Sequence, residues 1–482
     1  MANRILYWFR NDLRLHDNEG FLNATRKADE VIPVFIFDPR VFEKTSLGFR
    51  KIGIYRTRFI RESVAVLRTM LREKGGELLV RVGEPERVLA EIAEQYDVHE
   101  LHLSKEIAQE ETNVESSLSK RLKTLNIDMV FTWMSTLYHV RDLSFGINKL
   151  PDIFTDFRKQ IEKNTPVRPT APVPERVILP TEYDAGEIPD FTDLGFTEVE
   201  IKVPDARSVL DFKGGETAGQ RRLHDYLWES DAISTYKETR NGMLGADYSS
   251  KFAAWLAQGC ISPRQIYEEV KRYEIERTAN DSTYWLIFEL LWRDYFHFVM
   301  LRWGTRLFKP SGLKLNKDKR WRHDRSLFET WKTGNTGVPF VDANMRELAA
   351  TGYLSNRGRQ NVASFLANGL GIDWTWGASW FESMLIDYDV CSNWGNWNYV
   401  AGVGNDPRGT RYFNPYFQAT RYDENGDYVR YWLPELAKVP AEKLHKVWQL
   451  TPAEQQEYGV MLGEDYPRPI VDAERWTQEP TS

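Results

Sequence analysis

Ile5-Leu6-Tyr7-Trp8-Phe9-Arg10-Asn11-Asp12-Leu13-Arg14 is the stretch on which the fold turns. Its first five residues are apolar and are closed by charge, which reads as a buried strand. Val31 to Phe37, Leu78 to Val82, Leu101 to Leu103 and Met129 to Trp133 repeat the pattern. Between them, Arg56 to Lys74, Pro85 to Tyr96 and Glu110 to Leu125 carry apolar residues at the helical period of about 3.6 residues and read as helices. Alternating strands and helices predict an α/β domain with a parallel, doubly wound sheet over residues 1–135. Arg10 to Arg14 stands where a Gly-x-Gly-x-x-Gly or phosphate loop would follow the first strand, so a dinucleotide site in this domain is disfavoured.

Downstream the composition changes. Pro166, Pro169, Pro172, Pro174, Pro180, Pro189 and Pro204 exclude long helices, so residues 136–215 read as an interdomain linker wrapping the surface. From Gly219 helical patterns dominate, predicting a larger all-α domain over 216–482 that holds most of the 17 tryptophans. No internal repeat is visible.

A chain of 482 residues exceeds one ordinary core and implies at least two domains. Two cysteines, Cys260 and Cys391, and no basic-apolar leader at Met1 to Arg10 predict a reducing, intracellular setting, cytoplasmic in a bacterium. No apolar run approaches the ~20 residues of a membrane span, so a soluble protein without membrane contact is expected. Metal chemistry is not indicated, because two thiols cannot build a four-cysteine site and His139, His224, His297 and His323 lack close ligand spacing. The net charge of −7 does not exclude nucleic acid, since local charge decides. Arg302, Arg306, Lys309, Lys314, Lys317, Lys319, Arg320, Arg322, Arg325 and Lys332 outnumber Asp318, Asp324 and Glu329 in one basic stretch. A solvated charged face is the other reading of that run.

Three segments carry candidate chemistry. Gly245 to Gly259 reads as a loop entering a helix near Lys251, where Ser249, Ser250, Lys251 and free backbone N–H groups suit a diphosphate; an ordinary serine cap is the alternative. Tyr284 to Phe298 is apolar nearly all round, yet Glu289, Trp292 and Arg293 share one face. Glu289 and Arg293 form either an internal ion pair or the polar side of a pocket for a flipped base. Asn356, Arg359, Asp387, Asp389 and Asn393 offer donors and acceptors for the edge of a heterocycle, beside Trp394, Trp397 and Tyr399.

These motifs together resemble the photolyase and cryptochrome family across nearly the whole chain. Leu6-Tyr-Trp-Phe-Arg-Asn-Asp-Leu-Arg-Leu-His-Asp-Asn is similar to the family's opening, and Trp292-Arg, Val341-Asp-Ala-Asn-Met-Arg-Glu-Leu, Asn356-Arg-Gly-Arg and Trp432-Leu-Pro-Glu-Leu follow in family order. Phe37-Asp-Pro-Arg, Lys44-Thr-Ser-Leu-Gly-Phe, Ser135-Thr-Leu-Tyr-His, Phe154-Thr-Asp-Phe-Arg-Lys and Tyr236-Lys-Glu-Thr-Arg-Asn-Gly-Met resemble its cryptochrome DASH branch.

The resemblance implies FAD in the helical domain, its phosphates near Tyr236, Ser249, Ser250, Lys251 and the Phe252 backbone. Arg293 and Asn356 would line the cofactor, Arg359 would pair with Asp387, and Asp389 would accept from the flavin ring. Asn393 matches the position facing the reactive flavin nitrogen, with the residue found in the family's repair enzymes. Glu289 would bond and polarise a pyrimidine dimer between walls formed by Trp292, Met345 and Tyr399, with Asn356 and Arg357 also contacting DNA. Trp397, Trp374 and Trp321 align with a relay that carries electrons to the flavin. Glu106 would contact a folate antenna, 5,10-methenyltetrahydrofolate, unless it is a charged helix cap.

The activity implied is blue-light repair of cyclobutane pyrimidine dimers, preferentially in single-stranded or looped-out DNA, with no obligate protein partner. A blue-light receptor is the main rival. Little chain follows Trp432-Leu-Pro-Glu-Leu before Ser482, so a long signalling tail is not expected. The (6-4) branch has histidine where Asn356 stands, and Arg357 to Gln360 contains none. A light-independent flavin oxidoreductase lacks its nicotinamide fingerprint here.

Overall fold

β1 (Arg4–Phe9) is buried because its alternating side chains serve two cores. Leu6 and Trp8 join Leu89, Ile92, Leu118 and Leu122 on one face, while Ile5, Tyr7 and Phe9 join Phe21, Val64, Leu67 and Leu71 on the other. The computed structural model describes residues 2–316, 318–406 and 412–477; Lys317 of the basic stretch lies outside the described residues.

In chain order the first domain runs β1, α1 (Glu19–Lys27), β2 (Glu30–Phe37), α2 (Ile54–Glu73), β3 (Leu79–Val82), α3 (Pro85–Gln95), β4 (Glu100–Ser104), α4 (Gln109–Thr124) and β5 (Asp128–Thr132). The sheet is parallel, in the order β3-β2-β1-β4-β5, with Ile5 opposite both Val31 and Glu100. The order reverses between β1 and β4, which opens a crevice beyond their carboxyl ends.

Three expectations need correction. β5 is not buried: no residue in Asp128–Thr132 is, and Phe131 is 41% exposed, because β5 is an edge strand. α1 has no counterpart in the sequence reading, although Asn18 caps it by accepting from the Phe21 N–H. Residues 136–215 are not linker throughout, since α5 (Phe154–Asn164) packs Phe154 against Trp292 with ring centroids 3.7 Å apart and planes 10° apart.

The proline-rich span after α5 contains no helix and straps the domains together. Val31 N–H donates to the Ile178 carbonyl, Val80 N–H to Ala185, and Asp205 N–H to Ala350 in the helical domain. The bond from Val80 covers the β3 edge, which would otherwise leave strand groups unpaired.

The helical domain is built around the helix Asp281–Trp303, opened by a capping box between Asn280 and Thr283. Buried polar groups join it to the sheet domain. Arg264 donates to Asp17 at 2.6 Å. Glu216 accepts from the N–H groups of Leu15 (2.6 Å) and His16 (3.1 Å), and Asp294 accepts from Leu137 and Tyr138 at 2.9 Å each. Gly259 has φ +64°, and a Cβ there would lie 2.0 Å from the Asn11 carbonyl oxygen, so the domains meet backbone to backbone. No helix among the described residues is long and apolar enough to cross a membrane.

Candidate functional site

Two cavities lie on either side of one wall. The first, about 520 Å³, opens at the crevice between β1 and β4 and is lined by Asn11, Asp12, Ser104, Lys105 and Glu106 from the sheet domain and by Arg293, His297, Asp389 and Cys391 from the helical domain. The second, about 500 Å³, lies within the helical domain. Arg293, Tyr388 and Asp389 border both. Each is within the range of small-molecule sites, roughly 300–1,000 Å³.

The second cavity gathers residues distant in sequence. Tyr236, Ser249, Ser250, Lys251, Phe252, Arg293, Asn356, Arg359, Asp387, Asp389 and Asn393 all line it. The loop 245–252 is shaped from behind by Arg222, which donates to the carbonyls of Ala246, Ser249 and Ser250 at 3.0–3.2 Å and to Asp247 at 2.9 Å. Lys251 adopts left-handed backbone (φ +58°) and donates to the Ala246 carbonyl at 2.7 Å. Burial, reinforced by Arg222, pushes the Lys251 ammonium down to about 6. An anion beside it would restore the charged form. The helix that follows, Ala253–Ala257, has only five residues, so the expected helix terminus offers little for an anion, and the loop and its side chains are what face the cavity.

Across the cavity Arg359 pairs with Asp387 at 2.7 Å and His297 with Asp389 at 3.4 Å. Burial opposes the Asp389 charge, but His297, Arg293 and the Ser392 N–H outweigh it and hold the carboxyl below its usual range. Asn393 Nδ2 donates to the Ala378 carbonyl at 3.1 Å, which fixes the amide. Trp397 Nε1 is buried without a partner among the described residues. A buried desolvated ammonium, an unanswered indole N–H and fixed carboxylates fit a ligand that is anionic at one end and a hydrogen-bonding heterocycle at the other.

The chain matches the family model "DNA photolyase" over residues 5–176 and "FAD binding domain of DNA photolyase" over residues 285–481. It is 54% identical to cryptochrome DASH of Gloeobacter violaceus over 468 residues, 97% of this chain and 93% of the relative. The chain belongs to the photolyase/cryptochrome family, in its cryptochrome DASH branch. The solved Synechocystis sp. PCC6803 cryptochrome superposes with a TM-score of 0.95 at 52% identity, covering 99% of this chain and 98% of that one. A class III photolyase from Agrobacterium tumefaciens superposes at 0.83 with 28% identity, over 99% and 96%.

In this DASH-branch chain the second cavity decides one open reading and corrects another. Glu289 does not pair with Arg293. It accepts a hydrogen bond from Arg240, while Arg293 donates to the Ser135 carbonyl. Met345 forms no wall, because it is fully buried in the helical core, inside the helix Pro339–Thr351. Gln360 is at the mouth instead. The helix Asn356–Ser364 places Asn356, Arg359 and Gln360 on one face at i, i+3 and i+4, a signal present in the sequence but unread. Arg357 is off that face; it donates to Asn241 Oδ1 at 2.8 Å and covers the Tyr422 ring at 4.2 Å.

Trp292 and Tyr399 both line the mouth, their rings nearly perpendicular (84°) at 6.1 Å. Burial raises the Glu289 carboxyl and Arg240 counters it.

Trp397 borders the cavity and is 2% exposed; Trp374 is fully buried; Trp321 is half-buried. Trp321 and Trp374 both donate their indole N–H to the Pro310 carbonyl, at 3.0 and 3.1 Å, which holds the two rings together. Trp374 opens the helix Trp374–Met384, and Gly377, one turn on, faces the Trp397 ring: a Cβ there would lie 2.3 Å from it. Trp397 thus lies at the cavity wall against the helix that Trp374 opens, and Trp374 shares a carbonyl with half-buried Trp321.

At the first cavity Glu106 is not a helix cap, since α4 is capped at Ala108 without a side-chain bond. It accepts from Asn11 Nδ2 at 3.3 Å, and burial pushes it up to about 7. The metal-ligating atoms of His297, Asp389 and Cys391 lie within 4.8 Å of one another, a grouping invisible to sequence spacing. Burial pushes the Cys391 thiol up, which disfavours the thiolate a metal needs.

Proposed function

We propose that the chain is a light-driven DNA repair enzyme that splits cyclobutane pyrimidine dimers, with single-stranded or looped-out DNA as the better substrate. The convergence of every candidate cofactor residue on one cavity, with Glu289, Trp292 and Tyr399 at its mouth, carries this reading. Reduced FAD, when bound, supplies the electron that opens the cyclobutane ring and receives it back, so the reaction has no net redox change.

The chain's own residues bind, orient and stabilise. Ser249, Ser250 and Lys251 would hold the diphosphate. Arg359 with Asp387, and Asp389 with His297, would meet the heterocycle. Asn393 would present a neutral amide beneath the lesion. Glu289, its carboxyl raised by burial, is suited to donate a hydrogen bond to a dimer carbonyl as negative charge develops there. Arg240 limits how far the carboxyl is neutralised. Trp292, stacked on Phe154, is a preset wall for a flipped base. Extracting a dimer from duplex costs a few kcal/mol of unpairing and unstacking that a single strand does not require, hence the substrate preference.

The first cavity, at the crevice of the sheet, would hold a folate antenna such as 5,10-methenyltetrahydrofolate, with Glu106 accepting from its pterin. Arg293, Tyr388 and Asp389 line both cavities, so an antenna held there would lie one wall from the flavin. Photoreception is the second reading, favoured by the name cryptochrome borne by the relatives and by a relay ending at half-buried Trp321.

The test is repair of a thymine dimer in matched single-stranded and duplex oligonucleotides, by reduced protein, in blue light and in darkness. Light-dependent repair of the single strand is expected. Failure on both substrates by FAD-loaded, photoreducible protein rejects repair and leaves photoreception.

A further inference from the structure

Among the described residues, the basic stretch from Arg302 to Lys332 lines neither cavity with a cation, although Thr305 and Phe308 border the first. Its two ends have structural partners: Arg302 pairs with Asp152 at 2.8 Å beside α5, and Lys332 with Glu329 at 2.7 Å. The middle surrounds Trp321. The Lys319 ammonium sits 4.7 Å from the Trp321 ring centroid. The Arg322 side chain is 60% exposed and approaches Asp324 only to 3.8 Å. Arg320 is exposed and has no ion pair among the described residues, and Arg325 is exposed with a bond to the Ser46 carbonyl at 3.3 Å.

The acids nearby oppose this charge but are outnumbered: Asp318, Asp324 and Asp373 stand against Arg306, Lys309, Lys314, Lys319, Arg320, Arg322 and Arg325. Asp324 accepts from the Leu327 N–H at 3.0 Å as a helix cap, and Asp373 accepts from Thr375 at the start of its own helix while facing His323 at 3.3 Å. Asp318 is exposed. Screening confines the distant acids behind the net charge of −7 to about one Debye length, roughly 8 Å at physiological salt, so the local cations set the field at Trp321.

We propose that this cationic surface is an encounter site for small anionic one-electron donors, which return an electron to Trp321 after the relay has drawn one inward. The inference rests on the relay reading of Trp397, Trp374 and Trp321. One electron leaves the donor, which departs oxidised by one electron, and fills the vacancy on the indole. No atom is transferred. The indole N–H keeps its proton, because its partner is the Pro310 carbonyl, which is not a base. A small donor fits better than a protein face: the ring is half-buried, its N–H turns inward, and Lys319 already covers part of its surface, leaving little edge to touch.

Two measurements on FAD-loaded full-length protein test this. In the first, iodide and caesium quench the fluorescence component that Trp321→Phe removes. Iodide is expected to quench it several-fold better at low ionic strength, the difference closing at high salt and in the Arg320→Gln/Arg322→Gln variant. Equal quenching by both ions overturns the encounter site. In the second, the tryptophan radical formed by a flash is re-reduced by ferrocyanide or by neutral hydroquinone. The ferrocyanide rate is expected to fall about tenfold or more from low to high salt, the range of electrostatic steering, and in the double variant, while the hydroquinone rate stays constant. A radical that Trp321→Phe leaves unchanged overturns the relay and the delivery of an electron with it. A radical lost in Trp321→Phe but indifferent to donor charge overturns the encounter site alone.

Discussion

At Glu289 two influences oppose each other: burial raises the carboxyl while Arg240 favours its charge. Both act on the same oxygens that would face a lesion. Glu289→Ala is expected to lower repair per absorbed photon about tenfold, the worth of one charge-assisted hydrogen bond of roughly 1.5 kcal/mol, with flavin content unchanged. Dimer counts and the flavin absorbance of the same sample check it, and an unchanged yield removes the role. Trp374 shares the Pro310 carbonyl with Trp321 and lines neither of the two cavities described above. Trp374→Phe should slow photoreduction under blue light while FAD is retained, as read from the bleaching of the flavin band. Photoreduction at the wild-type rate would refute the relay. Motif resemblance picked out residues that line one cavity, but not Arg240 as the partner of Glu289, because the two are 49 positions apart and only folding joins them.

Among elements, the pair Trp374–Met384 and Val390–Val400 fits closely beside Trp397. Gly377 lets the Trp397 ring approach, and the Leu366 side chain crowds the same point, its Cδ2 lying 2.5 Å from where a Cβ on Gly377 would stand. Gly377→Ala should overpack the seam at a cost of roughly 1–3 kcal/mol and turn the Trp397 ring. A lower melting temperature with slower photoreduction is expected; an unaltered melt would show that the ring moves aside freely. The strands were legible because apolar runs bounded by charge have few other uses, and their parallel pairing followed from alternation with helices, whereas their order did not. α5 was not, because the prolines that follow it coloured the whole segment as linker. β5 was misjudged for exposure, since a run of apolar residues does not reveal whether a further strand will cover it.

On the scale of the whole molecule, Asp294 joins the helical domain to Leu137 and Tyr138 from a fully buried position. Burial pushes its carboxyl up to about 7, against the pull of those two N–H groups. A native pKa above the unfolded value means that the native state holds the proton more tightly. Its contribution to stability is therefore complete below the unfolded value, near 3.9, and is lost as pH rises through about 7. The stability gap between wild type and Asp294→Asn should shrink between about pH 4 and about pH 7, as measured by urea midpoints. A gap that stays constant would show that Asp294 does not titrate in that window.

The sequence by itself determined the fold class and the family, because strand periodicity and local motifs survive without tertiary contacts. Only the tertiary structure decided that Glu289 meets Arg240, that Met345 is core and Gln360 is at the mouth, that Arg222 shapes the loop at Lys251, and that two cavities share the wall of Arg293, Tyr388 and Asp389. Each of these depends on which side chain a packed helix turns toward a neighbour far away in the chain. That choice follows from burial and from the pairing of polar groups across the whole core, which no local pattern encodes.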